Sequence, residues 1–353
     1  MGNTYKLSAD MIVKRPRTDT ANDRMQIRID GRYREATFLG SALAKEPLLQ
    51  QLLPKVYLSW VSSTLGDYTV AMERVDADTL KIHVGNQQGV NGAGSPPRFF
   101  LTTQPPIEAF FKALFARTAE MHGLYWNDPA LLKTEWLKGL EWYRRQGGEA
   151  YMNSVKWVNS LFAQGLKSRP SGLLSENLVE RIQQALDGST FEALQSYIHT
   201  HPYSFHHGDF HAGNILVRHD LGKEDSMQFV FVDFSEVGIF DPAFDLSQIL
   251  ISDLEGKYYK SLVPELVKIW HARLQVVVKE KWGKDVEINS REALKTVLCA
   301  GFSKWAFLIG ALTGFPAVSD HAIQYFANNL TCWMELLETV VPKNERDIGF
   351  VKV

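Results

Sequence analysis

The chain has 353 residues, of which 45% are hydrophobic, and it carries a formal net charge of −2 at pH 7. A chain of this size buries enough apolar surface for one large domain or two smaller ones. Because its lysines and arginines are scattered rather than clustered, the composition argues against nucleic acid and against acidic membrane surfaces as partners.

The first part of the chain predicts strands and one helix. NTYKL and MIVKRP are short β-prone runs separated by the turn residues SAD, so we expect a hairpin. YREATFLGSALAKE follows with a helical period, and KVYLSWVSS and YTVAMERV predict a second pair of strands. Residues 78–106, with GNQQGVNGAGSPP among them, are rich in Gly, Pro and Asn and predict a flexible loop between two substructures.

After Pro106 the pattern changes to long amphipathic helices, such as IEAFFKALFARTAEMHGLYW and SENLVERIQQALDG, the second with Ser175 as its N-cap. NILV and FVFVDF, within the motif region, predict a hairpin, and from about Asp245 the pattern is helical again with a break near TGFPAVSD. We therefore predict an α+β protein in three parts: a small β-rich lobe at 1–76, a hinge and flexible loop at 77–106, and a large, mostly helical lobe at 107–353.

One short stretch, SFHHGDFHAGNILV, concentrates three histidines, an aspartate and an asparagine ahead of an apolar run. His206, His207, Asp209 and His211 fall at i, i+1, i+3 and i+5, whereas a dinuclear hydrolase needs ligands at i, i+2, i+4 and i+5. A transition-metal site is therefore the weaker interpretation.

Phosphoryl transfer explains the stretch better. A carboxylate orients the attacking hydroxyl, and hard oxygen ligands hold the metal ions that bridge the nucleotide phosphates. Asp209 is followed five residues later by Asn214, and one loop thus supplies both groups. A second metal-binding carboxylate is expected at the end of a neighbouring strand, where Asp233 closes FVFVD.

HHGDFHAGN, followed after a strand by VDFSEVGIFDPAFDL, resembles the aminoglycoside phosphotransferase and choline kinase-like superfamily. The shared pattern is His-Gly-Asp, a later Asn, a strand ending in Asp, and a downstream Gly, Pro and Asp-Leu. Its counterparts in this chain are His207, Gly208, Asp209, Asn214, Asp233, Gly238, Pro242, Asp245 and Leu246. The resemblance implies a bilobal protein-kinase-like fold with a small β-rich N-lobe and a large, mostly helical C-lobe.

The resemblance also implies the roles of these residues and the cofactors, ATP and Mg²⁺. Asp209 is implied as the catalytic base and Asn214 and Asp233 as Mg²⁺ ligands. His207 and Asp245 are implied as structural braces of the catalytic loop. His211 has no role in the pattern, and we expect it to hydrogen-bond the loop rather than to line the substrate pocket.

The same resemblance places five further residues at the nucleotide. It implies that Lys14 binds phosphate oxygens and that Glu35 is its ion-pair partner. It implies that Met72 gates the adenine pocket, and that the Glu73 carbonyl and the Val75 amide meet the purine edge. The alternative is an exposed strand lysine, a surface glutamate and a strand with a polar end. The family has a first strand and a phosphate-covering loop ahead of NTYKL, so we expect a shortened N-lobe without the first strand.

Members of this superfamily phosphorylate hydroxyl groups of small molecules. The resemblance therefore implies ATP/Mg-dependent transfer of the γ-phosphate to an amino alcohol, an aminoglycoside or a sugar-like molecule. The alternative is a non-catalytic nucleotide- or ligand-binding protein on the same fold, and a protein kinase is a weaker third option. Asp253 and Glu255 either meet a cationic substrate or lie at a solvated helix end.

Two further expectations concern the protein's environment. Cys299 and Cys332 lie in apolar helical stretches and predict buried free thiols of a reducing compartment. MGNTYKLSAD has no apolar signal core, and WAFLIGALTGF at 305–315 is too short for a membrane span and predicts a buried helix. We therefore expect a cytoplasmic protein.

Overall fold

Among the described residues, the N-terminal part of the protein up to residue 75 contains four strands, and helices dominate from residue 107 onward. The computed structural model describes residues 3–8, 11–16, 33–62, 64, 67–75, 78–79, 107–219, 227–348 and 351–352. The predicted α+β organisation, with a small strand-rich N-terminal part and a helical C-terminal part, is confirmed. The predicted boundaries at residues 76 and 106, and most of the loop between them, lie outside the described residues.

The N-terminal part is an antiparallel sheet in the order β1-β2-β4-β3. Its strands are β1 (Asn3–Ser8), β2 (Met11–Arg15), β3 (Val56–Ser62) and β4 (Asp67–Glu73). Both predicted strand pairs are therefore confirmed, and β2 and β4 pair at the centre of the sheet. Alternation along β4 buries Tyr68, Val70 and Met72 in the core.

The helix that packs on this sheet, α1 (Arg34–Gly40), is shorter than the run from Tyr33 to Glu46 that the sequence predicts. The main chain becomes extended at Ser41, whose hydroxyl donates a hydrogen bond to the Phe38 carbonyl at 2.7 Å and so closes the last turn. A 3₁₀ turn at Leu43–Lys45 and a short helix, α2 (Pro47–Gln50), replace the rest of the predicted helix.

Aromatic packing fastens α1 to the C-terminal part. Phe38 is fully buried, and its ring centroid lies 5.0 Å from that of Phe205 and 4.7 Å from that of Phe234. Phe205 precedes the motif loop and Phe234 follows the predicted metal ligand Asp233, so this packing holds the helix that carries Glu35 beside the motif.

The C-terminal part is built from helices with two small sheets inserted among them. The helices in the described ranges are α3 (Ile107–Gly123), α4 (Leu140–Tyr143), α5 (Gly148–Ser168), α6 (Glu176–Gly188), α7 (Phe191–Thr200), α8 (Ala243–Asp253), α9 (Tyr259–Trp282), α10 (Ser290–Gly314) and α11 (Asp320–Val340). As predicted, Ser175 caps α6 by accepting the amide of Leu178, and the chain breaks between α10 and α11.

The helix α10 lies at the centre of this part and packs against α5, α8 and α11. WAFLIGALTGF lies almost wholly within it, which confirms the predicted buried helix. Among the described helices, α10 alone has the length and apolar composition of a membrane span, and 72% of its apolar window is buried inside the protein. Both cysteines are free, with Cys299 buried in α10 and Cys332 half-buried in α11.

The two small sheets carry the motif. One pairs β6 (Ser204–His206) with β9 (Gly238–Phe240), and the other has the order β5-β7-β8 with strands Asp78–Thr79, Ile215–His219 and Met227–Phe231. The antiparallel pairing of β7 with β8 confirms the hairpin predicted from NILV and FVFVDF. Near the C-terminus, β10 (Asp347–Ile348) pairs with β11 (Val351–Lys352).

Candidate active site

Asp209 lies in the loop between β6 and β7, and each of its carboxylate oxygens faces a different neighbour. Oδ1 accepts a hydrogen bond from Gln248 Nε2 at 2.8 Å, and Oδ2 lies 3.5 Å from His211 Nε2. Burial alone raises the pKa of Asp209, but the His211 imidazole and the Gln248 amide outweigh it and hold the pKa well below its usual range. Asp209 is therefore ionised at neutral pH and has the charge that a proton acceptor needs.

Gly208 gives the loop the conformation that aims Asp209. Its φ is +83°, in the left-handed region that residues with a Cβ adopt rarely. A Cβ at this position would also overlap the Glu236 carbonyl. The glycine of His-Gly-Asp is thus required by both the backbone conformation and the space around it.

The carboxylate of Asp245, at the start of α8, binds the main chain of the same loop. It is fully buried and accepts hydrogen bonds from the His207 amide at 2.7 Å and the Gly208 amide at 3.0 Å. His122 Nε2, on α3, lies 3.3 Å from the same carboxylate. Burial raises the pKa of Asp245, but hydrogen bonding by His122 and its other neighbours holds that pKa well below its usual range.

His122 connects this carboxylate to the helical core. Its Nδ1 accepts the indole N–H of Trp270 at 3.1 Å, so the proton of the neutral ring lies on Nε2 and is donated to Asp245. Burial lowers the pKa of His122, which keeps the ring neutral. The sequence analysis did not identify this residue, because nothing near it in the chain distinguishes it from an ordinary helix histidine.

His207 ties the loop to the strand that ends at Asp233. The ring is fully buried, its Nε2 donates to the Val232 carbonyl at 2.9 Å, and its Nδ1 accepts the Asp209 amide at 3.3 Å. Burial lowers the pKa of His207, so the ring stays neutral and can both donate and accept. These contacts suit the bracing role that the sequence resemblance implies.

The two predicted metal ligands are neighbours across the β7–β8 hairpin. Ile215 is paired with Phe231, and the Val232 amide donates to the Asn214 carbonyl at 2.9 Å, so Asp233 follows next along the ladder. Asn214 Nδ2 donates to the Asp209 carbonyl at 2.9 Å, which leaves its amide oxygen on the opposite side of the group. Asp233 has φ +63° and ψ +62°, a left-handed turn that ends the strand. An amide oxygen and a carboxylate are the donor types that Mg²⁺ prefers.

His211 hydrogen-bonds the loop, as we expected, and it also approaches the predicted base. Its Nδ1 accepts the Gly213 amide at 3.0 Å, which places the proton of the neutral ring on Nε2, the atom nearest Asp209. The Asp209 carboxylate raises the pKa of His211. Within the described residues, no group of three or more His, Cys, Asp or Glu side chains is arranged to hold a metal ion.

Lys14 on β2 and Glu35 on α1 form an ion pair. Lys14 Nζ lies 2.9 Å from one Glu35 oxygen and 3.1 Å from the other. Burial raises the pKa of Glu35, the Lys14 charge opposes this shift, and the nearby Asp233 carboxylate reinforces it. The ion pair therefore lies close to the predicted metal ligand rather than on a distant surface.

The residues expected at the purine edge are at the end of β4. Met72 is buried, with 4% of its surface exposed, in the core beneath the sheet. The Glu73 carboxylate accepts the Lys55 amide at 2.8 Å, while Val75 follows the strand and is half-buried. The residues that come next, 76–77, lie outside the described part of the chain.

Two polar residues of the helical part reach the loop without having been predicted. Gln248 contacts Asp209, and Lys304 of α10 donates to Gln248. Asp253, which the sequence left open as a contact for a cationic substrate, accepts the Ala212 amide at 3.0 Å and so holds the loop instead. The signal available in the sequence was weak: Lys304 is a single charge in an apolar run, and Gln248 follows Asp245 by about one helical turn.

Comparison with known proteins agrees with the motif. The model of the ecdysteroid kinase-like family matches residues 139–281, a range that includes Asp209, Asn214, Asp233 and Asp245. No curated protein sequence matches this chain.

Three solved structures with a similar course of the chain are distant from it in sequence. A choline/ethanolamine kinase family protein from Mesorhizobium loti has 14% identity and a TM-score of 0.43, over 99% of this chain and 89% of the other. An aminoglycoside 2'-phosphotransferase-IIIa in complex with GDP has 13% identity and a TM-score of 0.45, over 97% and 90%. Plasmodium vivax ethanolamine kinase has 13% identity and a TM-score of 0.39, over 95% and 76%. At these identities none of these structures indicates the substrate of this chain.

The family match supports a small-molecule kinase at a general level. It confirms, over the motif region, the resemblance of this chain to the aminoglycoside phosphotransferase and choline kinase-like superfamily of the protein-kinase-like fold.

Proposed function

We propose that the protein is an ATP- and Mg²⁺-dependent phosphotransferase that moves the γ-phosphate of ATP to a hydroxyl group of a small molecule. The observation that supports this most strongly is the convergence of an ionised Asp209, the amide of Asn214 and the carboxylate of Asp233 at one end of the β7–β8 hairpin. A carboxylate base beside two hard oxygen ligands is the arrangement that phosphoryl transfer to a hydroxyl needs.

Asp209 is the residue that orients the acceptor hydroxyl and takes its proton. Its low pKa makes it a weak base in the ground state, so its main contribution is to position and polarise the hydroxyl. The proton leaves the hydroxyl as its oxygen bonds to phosphorus and the bond between the γ-phosphorus and the bridging oxygen breaks. Proton transfer then becomes favourable as the attacking oxygen loses electron density.

The metal ligands are Asn214 and Asp233. Bound Mg²⁺ would neutralise the phosphate oxygens of the nucleotide. Asn214 offers its amide oxygen, because its nitrogen is used by the Asp209 carbonyl. Asp233 offers a carboxylate held at a strand end by a left-handed turn.

The nucleotide lies, in this proposal, between the N-terminal sheet and the motif. Lys14, held by Glu35, binds phosphate oxygens. Met72 gates the adenine pocket, and the Glu73 carbonyl and the Val75 amide meet the purine edge. A lysine ammonium group held by a buried carboxylate partner suits a contact to a polyanion.

The acceptor is an amino alcohol, an aminoglycoside or a sugar-like molecule in this proposal. The name of the matching family adds ecdysteroids to the acceptors that should be screened. Because the Asp253 carboxylate already binds the loop, a cationic acceptor would need another anionic partner.

Two measurements test the proposal. First, the stabilisation of the protein by a non-hydrolysable ATP analogue is measured by thermal shift with and without Mg²⁺. We expect Mg²⁺-dependent stabilisation in the wild type and in Asp209→Ala, and its loss in Asp233→Ala. Asp285→Ala, which removes an exposed carboxylate far from the motif in sequence, is the control and should behave as wild type.

Second, phosphate transfer from ATP is measured over a panel of amino alcohols, aminoglycosides, sugars and ecdysteroids. Asp209→Ala should reduce the turnover of an accepted compound by at least about a thousandfold, since the positioned base is lost. Equal turnover in wild type and Asp209→Ala would refute the assignment of the base. Unchanged Mg²⁺-dependent stabilisation in Asp233→Ala would refute the metal site.

A further inference from the structure

The Asp209 carboxylate is held by a side chain outside the superfamily pattern. Gln248 lies on α8, and its Nε2 donates to Asp209 Oδ1 at 2.8 Å. Gln248 itself is buried, with 6% of its surface exposed, so water does not compete freely for the amide. The direction in which this amide points therefore determines whether Asp209 Oδ1 meets a donor or an acceptor.

The neighbours of Gln248 determine that direction. Its Oε1 accepts the Phe210 amide at 3.2 Å and the ammonium group of Lys304. Both neighbours can only donate hydrogen bonds, whereas the Asp209 carboxylate can only accept them. In a reversed amide, the NH₂ group of Gln248 would face the Phe210 amide and the Lys304 ammonium group, which are both donors. Its oxygen would face the Asp209 carboxylate, which is an acceptor. Only the observed orientation satisfies all three contacts.

The ammonium group of Lys304 contacts three acceptors around the motif loop. Its Nζ lies 3.4 Å from the Gly208 carbonyl and 3.4 Å from the Phe244 carbonyl, in addition to Gln248. The ammonium group thus joins α10 to the motif loop and to the first turn of α8. Burial lowers the pKa of Lys304 to about 8, and the carboxylates of Asp245 and Asp209 oppose that shift. Lys138 and Glu236 are the other charged groups that act on it.

We propose that Lys304 and Gln248 form a relay that sets the orientation of the Asp209 carboxylate for phosphoryl transfer. The inference rests on the proposed phosphotransferase function and adds two positioning residues to it. Lys304, together with the Phe210 amide, determines which end of the Gln248 amide faces Asp209, and the amide then restrains Oδ1. Oδ2, which lies 3.4 Å from Asn214 Nδ2 and 3.5 Å from His211 Nε2, is the oxygen left to orient the acceptor hydroxyl. A small misplacement of a reacting group can lower a rate by about a hundredfold.

The direct test is the crystal structure of Lys304→Met beside that of the wild type. Methionine keeps most of the length of the side chain and removes all of its donors. We expect the Gln248 amide to rotate and its contact with Asp209 Oδ1 to be lost. Lys295→Met is the matched control, because Lys295 lies on the same helix but pairs with Glu345 rather than with the motif loop. An unchanged Gln248–Asp209 contact in Lys304→Met would overturn the proposal.

The kinetic test measures turnover of Mg·ATP with water as the acceptor in Lys304→Met, Gln248→Met and the double variant. Each single variant should lower kcat by about 10- to 100-fold and leave KM for ATP within about twofold, because a positioning defect acts on the chemical step. The double variant should be no slower than the slower single variant, because both changes break one relay. If the losses in kcat of the two single variants add up in the double variant, the relay is overturned. Two residues with independent structural roles would give additive losses of this kind.

The two levels of the proposal fail differently. If Asp209→Ala turns over ATP as fast as the wild type, the proposed function fails. If Asp209→Ala abolishes turnover but Lys304→Met and Gln248→Met match the wild type, only the relay fails. If the wild type shows no turnover above Asp209→Ala with water, the crystal structure of Lys304→Met decides the relay by itself.

Discussion

Replacing Asp245 by asparagine should destabilise the protein strongly, because every group that hydrogen-bonds to its carboxylate is a donor. The His207 and Gly208 amides and the Nε2 of His122 all direct hydrogen bonds to it, and His206 Nδ1 lies 3.6 Å away. Asparagine keeps one oxygen and replaces the other with an NH₂ group. That group would face a backbone N–H or an imidazole N–H, neither of which can accept it.

The size of the effect follows from these contacts. A hydrogen bond to a charged group contributes about 1.5–3 kcal/mol, and a buried donor left without an acceptor costs about 1–3 kcal/mol. At least one donor loses its acceptor in Asp245→Asn, and a new buried donor is added. We therefore expect the free energy of unfolding to fall by about 3–5 kcal/mol, the combined cost of the lost charged hydrogen bond and the unpaired buried donor.

Asp241→Asn is a matched control four residues earlier in the chain. Asp241 is also buried, but one of its oxygens accepts the Tyr197 hydroxyl at 2.8 Å and the other accepts the Ala243 amide at 2.8 Å. A hydroxyl can reverse its hydrogen bond and accept from an asparagine NH₂ group, whereas a backbone amide cannot. We expect Asp241→Asn to cost about 1 kcal/mol or less.

The assay is equilibrium urea unfolding followed by tryptophan fluorescence at pH 7, for the wild type and both variants. Because the folded pKa of Asp245 is lowered, its contribution is present above pH 4 and is lost as the pH falls further. The difference between wild type and Asp245→Asn should therefore shrink below pH 4. A loss under 1 kcal/mol in Asp245→Asn, or an equal loss in Asp241→Asn, would refute this account of the brace.

Three further predictions concern the same region. Gly208→Ala should lower the free energy of unfolding by about 3 kcal/mol or more, through left-handed strain and overlap with a main-chain carbonyl, whereas Gly172→Ala, at φ +84° in open space, should cost about 1 kcal/mol; urea unfolding compares them. Burial lowers the pKa of Lys304 in the folded protein to about 8, so between pH 8 and the usual lysine pKa the unfolded chain binds more protons than the folded one. The free energy of unfolding of the wild type should therefore rise by about 2–3 kcal/mol relative to that of Lys304→Met between pH 7.5 and 10. An equal response of both proteins to pH would contradict this. Glu35→Gln should weaken ATP binding about tenfold by releasing Lys14, measured by calorimetry; unchanged affinity would argue against Lys14 as a phosphate ligand.

Local patterns in the sequence predicted much of the framework. Turn residues between β-prone runs predicted the hairpin β1–β2, the β-prone runs NILV and FVFVDF predicted the hairpin β7–β8, and the helical period predicted α3 and α6. These signals work because strand alternation, turn chemistry and capping depend on residues close in the chain. The prediction of one helix from Tyr33 to Glu46 was wrong, because the hydroxyl of Ser41 closes the helix early. The hydrophobic period of the sequence does not indicate where a side chain ends a helix.

By itself the sequence determined the motif, since Asp209 and Asn214 belong to one short loop and Asp233 to the strand that pairs beside it. Only the tertiary structure decided what holds that motif. His122 is 123 positions from Asp245, and Lys304 is 56 from Gln248, which is 39 from Asp209. Contacts across such separations arise when helices pack, and packing depends on the whole core rather than on any local pattern. The protonation of Asp209 and the direction of the Gln248 amide follow from that packing, because burial and neighbouring donors set both.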